Sequence, residues 1–460
     1  MTIQKNDEIQ LDIESLSAEG SGVGHFNGMA VFVAGGVPGD RLLVHIIKAK
    51  KTYAVGKILK IQIPSSARTA ADCPLFPQCG GCAYRGMQYE TELHEKQRRV
   101  EDAFLRLAHM DLHCETILHG APERYRNKAQ YPVMRENGKV KIGFYAPHSH
   151  RVIDCADCRL QPVEFAEIVA VFREFLTEFD ISVYDADCGK GLVRHLYLRK
   201  GFHSGEIMVC VVVNGSQLPH GDALVSRLCE LPHKITSILL NTNTEKTNVI
   251  LGAQCKTLWG TPDIGDTLCG VEVRLSPLSF YQVNHDMAEA LYQKAAEFAD
   301  LRDTETVLDL YCGAGTIGLS FAHRVKQLYG AEIVPEAVEN AKENARRNHI
   351  DNAVFFCGDA ADAAKRFQSM GICPDAVFLD PPRKGCDEAV LRTVSEMCPK
   401  KIVYISCDPA TLARDAARLR EFGYTPTRLV AADLFPRTVH VESVCLLKKV
   451  SHSINLICKP

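Results

Sequence analysis

The sequence predicts a multidomain α/β protein with a small N-terminal β-barrel, a central α+β domain carrying a metal cluster, and a C-terminal doubly wound sheet. Three observations carry that prediction. Residues 8–63 are short alternating apolar runs cut by glycine turns, and residues 64–88 form a loop rich in Pro, Cys and Gly. From residue 285 onward, helical and strand patterns alternate in βαβ rhythm. A chain of 460 residues has room for roughly two to four ordinary domains. The pattern changes divide it at 1–63, 64–275 and 276–460.

Bulk composition excludes several classes. With 46% hydrophobic and 24% charged residues the chain is an ordinary globular one rather than a disordered one. No apolar run is long enough to span a bilayer, and Met1-Thr-Ile-Gln-Lys-Asn-Asp-Glu lacks a signal-peptide core, so a cytoplasmic protein with no membrane contact is expected. The net charge of −3 is no nucleic-acid signature, so any such partner has to be argued from local patches. No obligate protein partner is evident. Nineteen cysteines under reducing conditions point to metal or catalysis where they cluster. Scattered ones in apolar runs, such as Cys210, Cys229 and Cys445, are expected to be small buried hydrophobes.

In the N-terminal barrel, strands are expected at 9–14, 29–33, 41–47 and 53–61. Between 41 and 63 there is no Asp or Glu, whereas Arg41, Lys48, Lys50, Lys51, Lys57 and Lys60 all occur with Tyr53 among them. Such a basic strand pair suits an RNA backbone and one stacked base; lysines also protect a plain edge strand. After the cysteine loop, Leu93, Val100, Phe104 and Leu107 share one helical face over 90–110, which is free to pack on the catalytic domain. Residues 124–275 alternate β-rich stretches with one helix near 162–179. The last domain places strands near 306–310, 327–332, 353–357, 375–379 and 401–406.

The first of those strands runs into Tyr311-Cys-Gly-Ala-Gly-Thr-Ile-Gly, a Rossmann-like glycine loop. Gly313 and Gly315 allow a tight turn against a ligand and Gly318 allows close helix–sheet contact. Alone this loop also marks dinucleotide sites. Asp309, Glu332 and Asp359, however, end three successive strands around it. A carboxylate for a cationic group, one for ribose hydroxyls and one for an adenine amine suit S-adenosylmethionine, which is cationic and has no pyrophosphate.

Asp380-Pro-Pro-Arg-Lys-Gly follows the next strand, its prolines stiffening the turn beside the crevice. Cys407 ends the strand after that, just before a helix whose N-terminus is expected to favour the thiolate. Glu442, in the apolar run His440-Val-Glu-Ser-Val-Cys, is placed where desolvation would raise its pKa into the range of a general base.

Taken together, Ser279-Phe-Tyr-Gln-Val-Asn, Asp309-Leu-Tyr-Cys-Gly, Asp380-Pro-Pro-Arg-Lys-Gly, Ile405-Ser-Cys-Asp-Pro and His440-Val-Glu resemble the RNA uracil-5-methyltransferases. The bacterial 23S ribosomal RNA enzymes are the most similar, and the likeness runs nearly end to end. The resemblance implies a TRAM-type RNA-binding barrel at 1–63 and 23S ribosomal RNA as substrate. It implies that Cys407 adds to C6 of a flipped-out uridine and that Glu442 removes the C5 proton after methyl transfer. It also implies cofactor contacts at Gln282, Tyr311, Thr316, Glu332, Asp359 and Asp380, with Asp380 touching the uracil as well.

Cys73, Cys79 and Cys82 are separated by five and two residues in a Pro/Gly loop, and Cys155 and Cys158 offer a distant fourth ligand. Four thiolates suit a [4Fe–4S] cluster. Structural zinc is the alternative, because 79/82 and 155/158 are both Cys-x-x-Cys pairs, although that pairing leaves Cys73 idle. The family resemblance favours Cys158, followed by Arg-Leu-Gln-Pro, as the fourth ligand. Three other functions fit parts of the sequence: a transfer RNA enzyme of the same chemistry, a nicotinamide-dependent redox protein, and a non-catalytic RNA-binding protein.

Overall fold

The computed structural model describes residues 3–450. Its N-terminal sheet contains β1 (Glu8–Asp12), β2 (Ser15–Leu16), β3 (Gly22–Phe26), β4 (Met29–Val33), β5 (Arg41–Ala49) and β6 (Tyr53–Ile63) in the order β1-β5-β6-β4-β3-β2. The two ends of that order, β1 and β2, are separated in sequence only by Ile13 and Glu14, so the sheet curls on itself into a small barrel. Alternation fills it: Ile9, Leu11, Val31, Val33, Leu42, Val44 and Ile46 point inward, as a period of two requires.

The chain then enters the cysteine loop and the helix α1 (Tyr89–Leu107), followed by β7 (Ile117–Leu118). Val100 and Phe104 of α1 sit fully buried in one apolar cluster with Leu412, Ala416 and Leu419 of the catalytic unit, whereas Leu107 is 53% exposed. A buried charge cluster reinforces the contact: Lys96 Nζ lies 2.7 Å from both Glu92 and Asp433.

The central unit is a seven-stranded sheet of β8 (Lys128–Glu136), β9 (Lys139–Tyr145), β10 (Val152–Asp154), β11 (Val193–Lys200), β12 (Ile207–Val213), β13 (Ile235–Thr242) and β14 (Gln254–Gly260). Two helices cover it, α2 (Glu164–Glu178) and α3 (Gly221–Cys229). Only the first is announced by a long apolar stripe (Phe165, Ile168, Val169, Phe172, Phe175, Leu176); α3 is short and buries only Leu224 and Leu228. Cys229 ends α3 and is exposed, contrary to expectation, while Cys210 and Cys445 are buried. Strand β12 is buried on both faces. Ile207, Val209 and Val211 face the helices, while Met208, Cys210 and Val212 join the core of the next unit.

That next unit begins with the hairpin β15 (Ile264–Leu268) and β16 (Val271–Leu275), then α4 (His285–Ala299), β17 (Thr306–Leu310), α5 (Thr316–Phe321), β18 (Gln327–Glu332) and α6 (Pro335–Arg347). It continues through β19 (Ala353–Cys357), α7 (Ala360–Ser369), β20 (Ala376–Leu379), α8 (Glu388–Glu396), β21 (Lys401–Ser406), α9 (Pro409–Glu421), β22 (Tyr424–Ala432) and β23 (Glu442–Lys449). The sheet order is β19-β18-β17-β20-β21-β23-β22-β7. The chain winds outward from β17 in one direction and then resumes at β20 on its other side, so a topological switch point opens at the carboxyl ends of β17 and β20. Strand β23 inserts antiparallel between β21 and β22. Among the described residues no helix is long and apolar enough to cross a membrane.

Candidate active site

Register alone brings the expected nucleophile and base together. Strands β21 and β23 run antiparallel with Ser406 opposite Ser443, so one step further places Cys407 opposite Glu442. Asp380 follows β20, which pairs in parallel with β21 at Leu379 and Tyr404, and so lies at the same edge. Glu442 is only 6% exposed. Burial pushes its carboxyl up to about 8, repulsion from Asp380 adds to that, and Arg383 opposes it. Burial raises Asp380 to about 7.

Cys407 departs from expectation. Burial, Glu442 and Asp380 push its thiol up to about 11, against the attraction of Arg383. At the start of the helix it precedes, Asp408 is the N-cap of α9 and its carboxylate accepts from the N–H groups of Ala410 (2.8 Å) and Thr411 (3.3 Å). Arg383 is the cation that sequence reasoning left without a role, although it lies inside the Asp-Pro-Pro-Arg run. Its Nη2 donates to Nδ1 of His440 at 3.4 Å. Burial and the nearby Arg383 lower the pKa of His440.

The cofactor loop occupies the switch point. Gly313 and Gly315 have φ of 54° and 77°, and Tyr311 between β17 and the loop has φ 66°, a left-handed conformation costly for a tyrosine. The N–H of Gly313 donates to Glu332 (3.1 Å) and that of Val334 to its other oxygen (2.9 Å), which ties the loop to the end of β18. Asp359 caps α7 by accepting from Ala361 at 2.9 Å. Asp309 is fully buried; one oxygen accepts from Gly318 N–H at 3.1 Å and the other has no partner. Burial, then Asp380 and Glu332, push it up to about 8. An unpartnered buried carboxylate oxygen beside two more acids is a site short of a cation, which fits the charge of S-adenosylmethionine. A pyrophosphate there would face Asp309 and Asp380, so the crevice does not suit a nicotinamide dinucleotide. Tyr292 of α4, fully buried, brings its hydroxyl to Thr316 and Gln282 with Asp380 nearby. Nothing in the sequence singled it out, because only the folded helix turns it toward the loop.

Cys73, Cys79, Cys82 and Cys158, together with Cys155, line one cavity of about 280 Å³ that Arg85, Arg126, Lys128 and Arg159 also border. Among the described residues, however, no group of three or more His, Cys, Asp or Glu is arranged so that it could hold a metal ion. The thiols border the cavity together with cations of the sign that would balance an anionic cluster.

A doubly wound sheet with a glycine loop, a ring of strand-end acids and a barrel appended before it defines a nucleic-acid methyltransferase that uses S-adenosylmethionine. Comparison with known proteins agrees. Residues 270–450 match the family model for tRNA (uracil-5-)-methyltransferase, and residues 4–59 match the TRAM domain. An RNA methyltransferase of uncharacterized activity from Clostridium tetani is 43% identical over 446 residues, 97% of each chain. Another from Halalkalibacterium halodurans is 42% identical over 449 residues, covering 97% of this chain and 98% of that one. Among solved structures, the Pyrococcus abyssi tRNA (uracil-54, C5)-methyltransferase bound to S-adenosyl-L-homocysteine superimposes with a TM-score of 0.78 at 26% identity, covering 95% of this chain and 99% of that one. The chain belongs to the RNA uracil-5-methyltransferase family. It is an S-adenosylmethionine-dependent enzyme acting on RNA, with a TRAM barrel at its N-terminus.

Proposed function

We propose that this enzyme forms 5-methyluridine in 23S ribosomal RNA, with Cys407 as nucleophile and Glu442 as general base. The observation that carries the chemistry is the register that sets Cys407 opposite Glu442 at the edge shared with Asp380. The Cys407 sulfur adds to C6 of a uracil taken out of its stack, and the ring electrons shift onto C5 and O4. S-adenosylmethionine supplies the methyl group that C5 accepts. Glu442 then takes the C5 proton, the C–H electron pair forms the C5=C6 double bond, and the S–C6 pair leaves with the sulfur as thiolate. Arg383 favours the thiolate, and Asp380 is placed to reach the uracil. Gln282, Tyr311, Thr316, Glu332, Asp359 and Asp380 hold the cofactor: the first three from loop and helix ends, the acids from strand ends.

The same reading assigns the cysteine cavity a [4Fe–4S] cluster on Cys73, Cys79, Cys82 and Cys158, supported by four thiols bordering one cavity with cations around them. Iron and sulfide analysis of anaerobically purified protein, with its visible absorbance, decides this; a colourless protein carrying zinc would favour the other metal. The sequence divides this cytoplasmic enzyme at 1–63, 64–275 and 276–460, with the hairpin at the end of the second unit packing on the core of the third.

A transfer RNA substrate is the second reading, favoured by the tRNA (uracil-54, C5) activity of the Pyrococcus abyssi enzyme and by the matching tRNA (uracil-5-)-methyltransferase family. Nucleoside mass spectrometry after incubation with S-adenosylmethionine and unmodified 23S or transfer RNA transcripts separates the two. New 5-methyluridine in 23S RNA alone supports the first; the same product in transfer RNA alone overturns the substrate and keeps the chemistry.

A further inference from the structure

Gln282 reaches the cofactor crevice on residues 276–284, a stretch of turns and irregular backbone between β16 and α4. Backbone without a ladder has to be held by something else, and here the central sheet holds it. Arg199, on β11 and 1% exposed, donates from Nη1 to the carbonyl of Ser276 and from Nη2 to the carbonyl of Ser279, each at 2.8 Å. Ser279 closes the turn by accepting the Ser276 N–H on its hydroxyl at 3.0 Å. Just before β8, Asn127 donates its side-chain amide to the Gln282 carbonyl and its backbone N–H to the Val283 carbonyl, both at 2.8 Å. Phe280, between these anchors, remains 74% exposed, while its neighbour Tyr281 is buried and donates its hydroxyl to Asp266 at 2.9 Å, so ring packing holds one point of the segment and the guanidinium fixes the turn before it.

Packing does not explain the guanidinium. Arg199 is among the largest fully buried side chains, and its Nε has no partner. Its donors go to neutral carbonyls, and a tyrosine ring, that of Tyr197, lies 5.7 Å away. A buried charge matched only by dipoles is a costly way to fill a core position that methionine would fill. A planar fork that grips two carbonyls three residues apart does something methionine cannot: it fixes the orientation of the turn.

We propose that Arg199 is a positioning residue for methyl transfer: by gripping the Ser276 and Ser279 carbonyls, it sets the direction in which Gln282 enters the crevice and thereby the affinity for S-adenosylmethionine. The inference rests on Gln282 being a cofactor residue. A guanidinium that merely stabilised the fold would lower the active fraction and the thermal midpoint and leave the affinity of the folded enzyme unchanged. A positioning residue changes that affinity itself.

The test is calorimetric binding of S-adenosylmethionine, with kcat and KM, for Arg199→Met, Arg199→Lys, Gln282→Ala and the Arg199→Met/Gln282→Ala double variant. The expected result is a dissociation constant raised about tenfold by Arg199→Met and by Gln282→Ala, with KM for the cofactor rising in step. The double variant should be no weaker than the poorer single one, since both act through one contact. Arg199→Lys keeps the charge with one point of donation and should fall between; it takes the place of Arg199→Met if that variant does not fold. Unchanged affinity in a folded Arg199 variant, while Gln282→Ala binds poorly, overturns the proposal and leaves Gln282 in its role. Fully additive losses overturn it as well. Normal binding by Gln282→Ala overturns both the role of Gln282 and the proposal built on it.

Discussion

At the scale of single residues, the site turns on protons. Cys407, Glu442 and Asp380 were legible because each ends a strand, or begins one, at the edge where a doubly wound sheet binds ligands. The ionisation of Cys407 was not legible. A cysteine before a helix suggests a thiolate, but Asp408 occupies the cap and two buried acids face the sulfur, so the free protein holds the thiol near 11. The two roles separate in variants. Cys407→Ala should bind RNA at parental affinity and transfer no methyl group. Glu442→Gln should still add to the base and accept methyl but stall at elimination, slowing turnover by about 10²–10⁴-fold. Denaturing gels should then show protein covalently joined to RNA for the glutamine variant and none for the alanine variant. Turnover by Glu442→Gln at the parental rate with no adduct would remove Glu442 as the base.

Among the elements, α1 shows how much of the catalytic unit lies outside the catalytic sequence. Its apolar spacing was readable, and Val100 and Phe104 are buried as that spacing requires. Two features were not readable: that β7 would add to the far edge of the catalytic sheet beside β22, and that Lys96 would lie between Glu92 and Asp433, some 337 residues away in sequence from the latter. Neither local propensity nor periodicity carries such pairing. Short elements failed for a related reason, since α3 buries only two leucines and makes too little of a stripe to be seen. Lys96 is 2% exposed and both acids are 0% exposed, so Lys96→Met would leave two carboxylates facing each other with only Arg437, 3.5 Å from Glu92, to offset them. Removal of one partner from a buried ion pair costs about 3–5 kcal/mol. The variant should lose that much in urea unfolding followed by near-ultraviolet signals. It should lose methylation as well, because Asp433 begins the segment that runs through His440 to Glu442. A loss below about 1 kcal/mol would mean that α1 is held by its apolar face alone.

For the whole molecule, the acids that make the crevice receptive also make the free protein sensitive to pH. Asp309, Asp380 and Glu442 are held at about 8, 7 and 8, against ordinary values of 3.8, 3.8 and 4.5. The folded state therefore binds more protons than the unfolded chain between those limits, and stability falls as pH rises through that window. The contribution is fully present below the ordinary carboxyl values and is lost once the pH passes the folded ones. Buried His195, lowered to about 4, acts in the opposite sense up to the ordinary histidine value of 6.5, and the Cys255 and Cys158 thiols, lowered to about 6 and 7, oppose the acids from about pH 6.5 to 8, so the part due to Glu442 is read as a difference between the parent and Glu442→Gln. Across that interval the thermal midpoint of the ligand-free parent should fall relative to that of Glu442→Gln, which has no proton to release. S-adenosylmethionine brings a positive charge to the ionised acids, so the stabilisation it confers should grow over the same interval. S-adenosylhomocysteine, which lacks the sulfonium charge, should show a weaker pH dependence. Equal slopes for the parent and Glu442→Gln would mean that Glu442 ionises in the folded protein as it does in the unfolded chain, and would deny it the raised value that general-base catalysis near neutral pH requires.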